Sequence, residues 1–351
     1  MEYYSAKKLL SQKDLYGRVP EIYITQSNRS AGKTTEFSRI LVKDFKENGK
    51  KFGILYRYDY ELEDCAEKFF KDVKEIFYPE SDMISVSKLR GKYHELWLDN
   101  ENCGYALSIN SANTLKKYSH FFNDISTLFY DEFQSESNDY CYKEITKFQS
   151  IHTSISRAPG TPVRYVPVYM CSNPVSILNP YYSALGINER LRKNTKILRG
   201  DGYVMENYFS ENVSNAQLDS AFNRAFAGSD YQSYSAQGLY LDDNSSFIKK
   251  MIGKNNYLCT IHFRKKDYAL REYPNESIIY CDKRADLTNK NKLVLDINDH
   301  DINYVMLKKN DLFIKQLRFY FDKACFRFKD QECKSMILQL LSYWHNKKKE
   351  L

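Results

Sequence analysis

Short β-branched and aromatic runs alternate with longer stretches in which apolar residues return at helical spacing through the first two hundred positions. Glu21 to Thr25 predicts a first strand. A helix is predicted from Lys33 to about Lys46, closed by Glu47-Asn48-Gly49. Phe52 to Arg57 predicts a second strand, and Tyr60 to Phe77 an amphipathic helix. His94–Leu98 and Tyr105–Ile109 flank the turn-forming run Asp99-Asn100-Glu101-Asn102-Cys103-Gly104, which predicts a β-hairpin. The next strand is Ser126 to Phe133. A helix over 139–156, a strand from Val163 to Cys171 and a last strand from Thr195 to Leu198, stopped by Arg199-Gly200, follow. Strands alternating with helices imply an α/β domain with a parallel sheet covered on both faces.

The pattern changes at Asp201. Residues 214–227 suggest one small helix, and 228–246 are rich in Ser, Asp, Asn and Tyr, so 201–240 reads as a linker subdomain. Beyond it, Tyr257–Phe263, Tyr268–Tyr273, Ser277–Cys281 and Lys292–Ile297 read as strands, and 311–323 and 331–345 as helices. The domain expectation is 1–200, 201–240 and 241–351.

The length of 351 residues suits two domains, and 42% hydrophobic residues with 30 Tyr and 21 Phe exclude a disordered chain. No run of 18 apolar residues and no signal peptide are visible, so a soluble, intracellular protein without a membrane partner is expected. Eight cysteines lie scattered with no C-x-x-C pair, which points away from zinc and disulfide frameworks. Residues 1–230 balance at 30 basic and 30 acidic side chains, whereas 231–351 hold 22 and 15, the whole of the net +7. A basic module joined to a neutral one suits a polyanionic partner; a solvated basic face is the alternative.

The candidate chemistry begins after the first strand. Ser27-Asn28-Arg29-Ser30-Ala31-Gly32-Lys33-Thr34-Thr35 has the strand–loop–helix setting of a P-loop. Backbone N–H groups from Arg29 to Lys33 are expected to cradle phosphates, Lys33 to reach the β- and γ-phosphates, and Thr34 to hold Mg²⁺. Ser27 stands where the pattern has Gly. A second motif supports the first. The apolar run Ser126–Tyr130 ends in Asp131-Glu132-Phe133, a Walker B pattern in which Asp131 would bind Mg²⁺ through water and Glu132 would polarise the attacking water. ATP and Mg²⁺ are the cofactors expected. A Glu beside the Asp marks motor-type ATPases.

Three stretches together resemble the DNA-packaging ATPases of small, protein-primed tailed phages (phi 29-like): the P-loop with Arg29 at its third position, Tyr130-Asp131-Glu132-Phe133, and Cys171-Ser172-Asn173-Pro174-Val175-Ser176-Ile177-Leu178-Asn179-Pro180-Tyr181-Tyr182. The resemblance covers about residues 20–200 by motif. It implies a P-loop ATPase of the additional-strand, catalytic-Glu class, working as a homomeric, pentameric ring on the portal of an empty capsid and driving double-stranded DNA inward. The expected location is the host cytoplasm, transiently the portal vertex. A structural RNA stays open as a further partner. The resemblance also implies an arginine lent to the neighbouring subunit, for which Arg157 is the first candidate and Arg164 the second. Asn173 would sense the γ-phosphate or orient water, or serve as a turn residue before Pro174. Arg29 would contact the γ-phosphate or pair with a carboxylate. Arg57 stays open between contacting nucleotide or DNA and forming a structural ion pair.

A motor that holds any sequence needs phosphate contacts. Lys116 and Lys117, in a loop-like segment before Walker B, and Arg264, Lys265 and Lys266, in a basic hairpin turn, are the candidates. Related large terminases carry a ribonuclease H-like nuclease after the ATPase, whose carboxylates converge on two metal ions. The first strand of that fold would be Tyr257–Phe263, which has no Asp or Glu; Asp282, Asp286, Asp296, Asp299 and Asp301 lie near strand ends. A nuclease-like fold without nuclease activity is therefore expected. Competing readings are a large terminase with a live nuclease, an FtsK/HerA-like DNA pump or helicase, and a binding module with a degenerate P-loop.

Overall fold

Strand β1 (Ile22–Gln26) is buried along nearly its whole length because it lies mid-sheet with partners on both sides. In the computed structural model the described residues are 3–342, except 138, 158–161, 178, 193, 239–246, 264, 295–298 and 308–311. The chain divides into two units, Met1–Leu185 with Leu191–Asp243, and Gly186–Arg190 with Asn244–Leu351.

The first unit holds a nine-stranded sheet. Its further strands are β2 (Lys51–Tyr56), β3 (Met83–Lys88), β4 (Tyr93–Leu98), β5 (Glu101–Ser108), β6 (Ile125–Asp131), β7 (Val168–Ser172), β8 (Ile197–Arg199) and β9 (Tyr203–Asn207). Their order is β3-β4-β5-β2-β6-β7-β1-β9-β8. The stretch from β5 to β9 is parallel, with antiparallel strands at both edges. β7 stands between β1 and β6, the strands that carry the two nucleotide motifs.

The helices of this unit up to Leu185 are α1 (Lys7–Leu10), α2 (Lys33–Asn48), α3 (Glu61–Phe77), α4 (Ala112–Lys117), α5 (Glu144–Ile155) and α6 (Pro180–Leu185). One core cluster joins Phe37 of α2 to Phe129 of β6 and Tyr169 of β7, and Phe52 of β2 to Phe69 and Phe70 of α3. Each buried Phe contributes roughly 1.5–3 kcal/mol. Gly49 ends α2 in the left-handed region at φ 67°, as its sequence predicts.

Several details differ from the sequence expectation, among them β7, which begins at Val168 rather than Val163. The hairpin turn is only Asp99-Asn100, both at positive φ (50° and 67°). Gly104 lies in β5, where a Cβ would stand 2.0 Å from the Phe52 carbonyl oxygen of β2, so glycine is required by close approach. β3, unread in the sequence, extends the sheet edge. Segment 201–240, expected as a linker, instead supplies β9 beside β1 and the helices α8 (Glu211–Leu218), α9 (Ala221–Ala225) and α10 (Asp230–Ser235), all in the first unit.

The second unit carries α7 (Ile187–Arg190) and a six-stranded sheet. Its strands are β10 (Asn256–Phe263), β11 (Lys266–Tyr273), β12 (Ile278–Asp282), β13 (Lys292–Val294), β14 (Val305–Met306) and β15 (Phe326–Phe328). The order is β14-β13-β10-β11-β12-β15; β10 to β12 form an antiparallel meander, and β13 and β14 run parallel to β10. Helices α11 (Leu312–Asp322) and α12 (Gln331–Ser342) complete it. Among the described residues, no helix is long and apolar enough to cross a membrane.

Asp14 ties the segment before β1. Its carboxylate accepts backbone N–H groups from Tyr16, Arg18 and Gly202 and the Arg18 guanidinium. Partial desolvation works against its ionised form, but these donors prevail and hold its pKa at about 2. Because the folded value is depressed, the stabilisation is complete above 3.8 and is lost as pH falls through about 2. An acid-unfolding series is expected to show a shallower loss of Tm over that window in Asp14→Asn than in the wild type.

Candidate nucleotide site

The strand ends of β1, β6 and β7 meet at the carboxyl edge of the parallel sheet, where ligands of α/β folds bind. The loop from Ser27 to Gly32 turns there because Ser30 (φ 61°) and Gly32 (φ 92°) both occupy the left-handed region. A Cβ on Gly32 would come within 3.2 Å of the Tyr3 ring, so the N-terminal segment flanks the loop. Gly32 also caps α2, whose N-terminus adds its positive dipole end.

Lys33 is only 7% exposed. Its ammonium donates to Ser27 Oγ at 2.7 Å, Asn173 Oδ1 at 3.1 Å and the Ser27 and Asn28 carbonyls at 3.4 Å each. All four partners are uncharged. Burial pulls its pKa below the ordinary lysine value despite the attraction of Asp131 and Glu132. Ser27, the departure from the P-loop pattern, thus points its hydroxyl at the lysine. Thr34 is exposed at the first turn of α2.

Asp131 ends β6 opposite Cys171 of β7. Its Oδ1 accepts the buried Cys171 thiol at 2.9 Å and the Glu132 N–H at 3.0 Å. β6 stops one residue before Glu132, so that side chain belongs to the turn, at φ 50°. Desolvation, followed by the Asp131 and Glu136 carboxylates, raises the pKa of Glu132 above the ordinary range. Asn173, just beyond β7, comes to the same point through its bond to Lys33. Lys33, Asp131, Glu132 and Asn173 are therefore brought together at this edge of the sheet.

Other residues correct the expectation. The Arg29 N–H does not join a phosphate cradle; it donates to the Ser235 carbonyl at 2.9 Å. The outer arm of the loop is laced to the segment that follows β9: Asn28 Nδ2 donates to the Ser210 and Ala236 carbonyls, and Gln217 Nε2 to the Arg29 carbonyl. The Arg29 guanidinium lies 3.5 Å from Glu136. Arg57, which the sequence leaves open between a nucleotide or DNA contact and a structural ion pair, is a buried ion-pair partner of Glu144. Lys116 and Lys117 are exposed in the last turn of α4, not in a loop.

Arg157 is exposed just past α5. Arg164 instead donates to the Ile155 carbonyl at 3.0 Å and to the Ile125 carbonyl. In the second unit Lys266 is paired with Glu189 and Glu332, and Lys265 takes a left-handed turn at φ 61°. Arg264 and Asp296 lie outside the described residues.

Sequence reasoning missed the groups beneath the site. Tyr182 donates to Gln26 Oε1 at 2.7 Å; the Gln134 amide bonds Ser172 Oγ at 3.0 Å and receives the Val175 and Ser176 N–H groups. Asn179 accepts the Tyr182 N–H. The tyrosine pair after Asn179-Pro180 was the available signal, since a buried Tyr hydroxyl needs a polar partner.

A family model of the podovirus DNA encapsidation protein (Gp16) matches residues 1–345. The DNA packaging protein of Bacillus phage phi29 is 22% identical over 342 residues, covering 96% of each chain. A solved structure of the bacteriophage Phi-29 viral genome packaging motor assembly has a similar fold, with TM-score 0.67, 20% identity, and coverage of 97% of this chain and 98% of the other. A structure of the Phi-28 gp11 DNA packaging motor is similar at TM-score 0.62 and 16% identity, with coverage of 97% and 98%.

Proposed function

This chain belongs to the podovirus DNA encapsidation protein (Gp16) family, a family of phage DNA-packaging ATPases, and from that premise we propose how its residues do the work. The reading is an ATP-driven translocase of double-stranded DNA. One observation carries it: a buried lysine ammonium whose hydrogen-bond partners among the described residues are all uncharged oxygens, beside an Asp-Glu pair at the carboxyl edge of a parallel sheet. A buried cation with no charged partner is costly, and a bound phosphate would supply the missing anion.

In this reading the N–H groups of Ser30 to Thr34 and the Lys33 ammonium hold the phosphates; Arg29 contributes no backbone donor. Thr34 and Asp131 would hold Mg²⁺, which when bound neutralises phosphate charge. The Cys171 thiol and the Glu132 N–H both bond Asp131 Oδ1, so Oδ2 is the oxygen this reading assigns to the metal. Glu132 takes a proton from the attacking water, and its raised pKa makes it a stronger base near neutral pH. Asn173 follows the γ-phosphate by exchanging its bond to Lys33. Arg29, held near Glu136, is a second γ-phosphate ligand. Exposed Arg157, rather than Arg164 with its carbonyl partners, reaches the neighbouring subunit's site.

The finer class is the additional-strand, catalytic-Glu ATPase, supported by β7 lying between β1 and β6. The working modules are an ATPase with the 201–240 segment attached and a C-terminal module of ribonuclease H-like strand order. That module is read as nuclease-inactive. β10 has no carboxylate, Asp282 pairs with Arg271, and Asp286 and Asp301 bond within their own turns. The working state is a ring, a pentamer by family resemblance, acting in the host cytoplasm at the portal, with a structural RNA left open. Lys116, Lys117 and Lys265 are the DNA contacts this reading favours; Lys266 already has two carboxylate partners.

The test is Mg²⁺-ATP hydrolysis by purified protein with and without blunt double-stranded DNA. Stimulation by DNA is expected, without strand separation. A rate indifferent to DNA in a ring assembled on its portal, or unwinding of the duplex, would overturn the translocase reading.

A further inference from the structure

Arg57 is a buried cation that the proposed chemistry leaves unused. Its side chain is 9% exposed and that of Glu144, its partner, 1%. Nε lies 3.2 and 3.3 Å from the two Glu144 oxygens. The other edge of the guanidinium donates through Nη2 to the Phe133 carbonyl at 2.8 Å, with the Glu132 carbonyl at 3.5 Å. The plane sits over the Tyr140 and Tyr130 rings, at 5.0 and 5.8 Å to their centroids.

Both ends of this bridge are pinned. The Arg57 N–H is held by Glu61 at 2.8 Å. Glu144, in the first turn of α5, also accepts the Tyr130 hydroxyl at 3.0 Å, the Tyr181 hydroxyl at 2.8 Å and the Cys141 N–H at 2.9 Å. What the bridge grips is the backbone just past Glu132: the strong bond takes the Phe133 carbonyl, in the Phe133–Gln134 peptide, and the 3.5 Å contact reaches the carbonyl of the peptide that directly follows Glu132. That residue holds φ 50°, a conformation a non-glycine residue keeps only when its surroundings over-determine it. Holding the carbonyls on both sides of Phe133 restricts how the turn at Glu132 can rotate, and with it the direction in which the Glu132 side chain leaves the backbone.

We propose that Arg57 is a positioning residue for ATP hydrolysis: tethered by Glu144, its guanidinium clamps the Glu132–Phe133 turn and so aims the Glu132 carboxylate. This rests on the reading of Glu132 as the base. Lysine cannot replace the clamp, because a point ammonium does not span a carboxylate and a carbonyl with a rigid planar fork.

The experiment uses the full chain in assembled, DNA-stimulated rings and measures kcat, equilibrium ATP affinity and Tm. Three variants are compared: Glu132→Gln, Arg57→Lys, and the double variant Arg57→Met/Glu144→Gln. The double variant removes the buried charge pair as a unit and so limits the folding penalty. Arg57→Lys and the double variant are each expected to lose about a hundredfold in kcat, as an ångström-scale misplacement does, with ATP affinity within about twofold. Should Arg57→Lys fail to fold, the double variant decides. A folded variant with wild-type kcat overturns the clamp, and so does parallel loss of kcat and ATP affinity. Wild-type hydrolysis by Glu132→Gln would instead overturn the premise about the base, which separates the two failures.

Discussion

Glu132→Gln is expected to bind ATP as the wild type does and to hydrolyse it about 10²- to 10⁴-fold more slowly, the range for loss of a general base. The amide matches the carboxylate in shape, so the turn at φ 50° and the Glu132 N–H bond to Asp131 are retained. What disappears is the proton acceptor. Removing a negative charge beside Asp131 and Glu136 also relieves repulsion, so Tm should hold or rise slightly. Single-turnover hydrolysis with equilibrium nucleotide binding checks the split. Loss of binding in parallel with rate would show that Glu132 organises the pocket instead. On the wild type, the raised pKa of Glu132 implies that turnover falls as pH drops through a value above the ordinary glutamate range, since only the carboxylate accepts the proton.

Arg157→Ala is expected to lose about 10³- to 10⁵-fold in turnover, the scale of an arginine finger. Its exposed position past α5 predicts little change in Tm. Mixing gives the decisive reading. If the arginine acts in trans, rings made from Arg157→Ala and Glu132→Gln subunits recover activity, because an intact Glu132 can meet an intact Arg157 across an interface. If it acts in cis, every subunit of the mixed ring stays inactive. Arg164→Ala should behave differently. Its side chain holds the Ile155 carbonyl at the end of α5 and the Ile125 carbonyl at the start of β6, so its loss should lower Tm.

The P-loop and the Walker B strand were legible because each is a local pattern; Asn173 entered only through the family resemblance. A β-branched run followed by a loop with Gly-Lys-Thr at a helix start is the local order of a P-loop, and an apolar strand ending in Asp-Glu places both carboxylates at its exit. Ser27 read as a flaw because its partner could not be seen; its hydroxyl is turned on Lys33. Segment 201–240 was misread for a related reason. Tyr203–Asn207 is a short strand whose place beside β1 depends on pairing rather than composition. The polar helices after it bond to the P-loop through backbone carbonyls, which no side-chain pattern announces.

By itself the sequence determined the alternation of strands and helices, the nucleotide motifs with their order, and the concentration of positive charge in the last third, because periodicity, turn chemistry and composition act over a few residues. Only the tertiary structure decided which groups meet. Lys33 finds Asn173 140 residues away, Arg57 finds Glu144 87 residues away, and the Arg29 N–H goes to Ser235. Such pairs follow from strand order in the sheet, and a buried charge or donor takes whichever partner that order brings within reach.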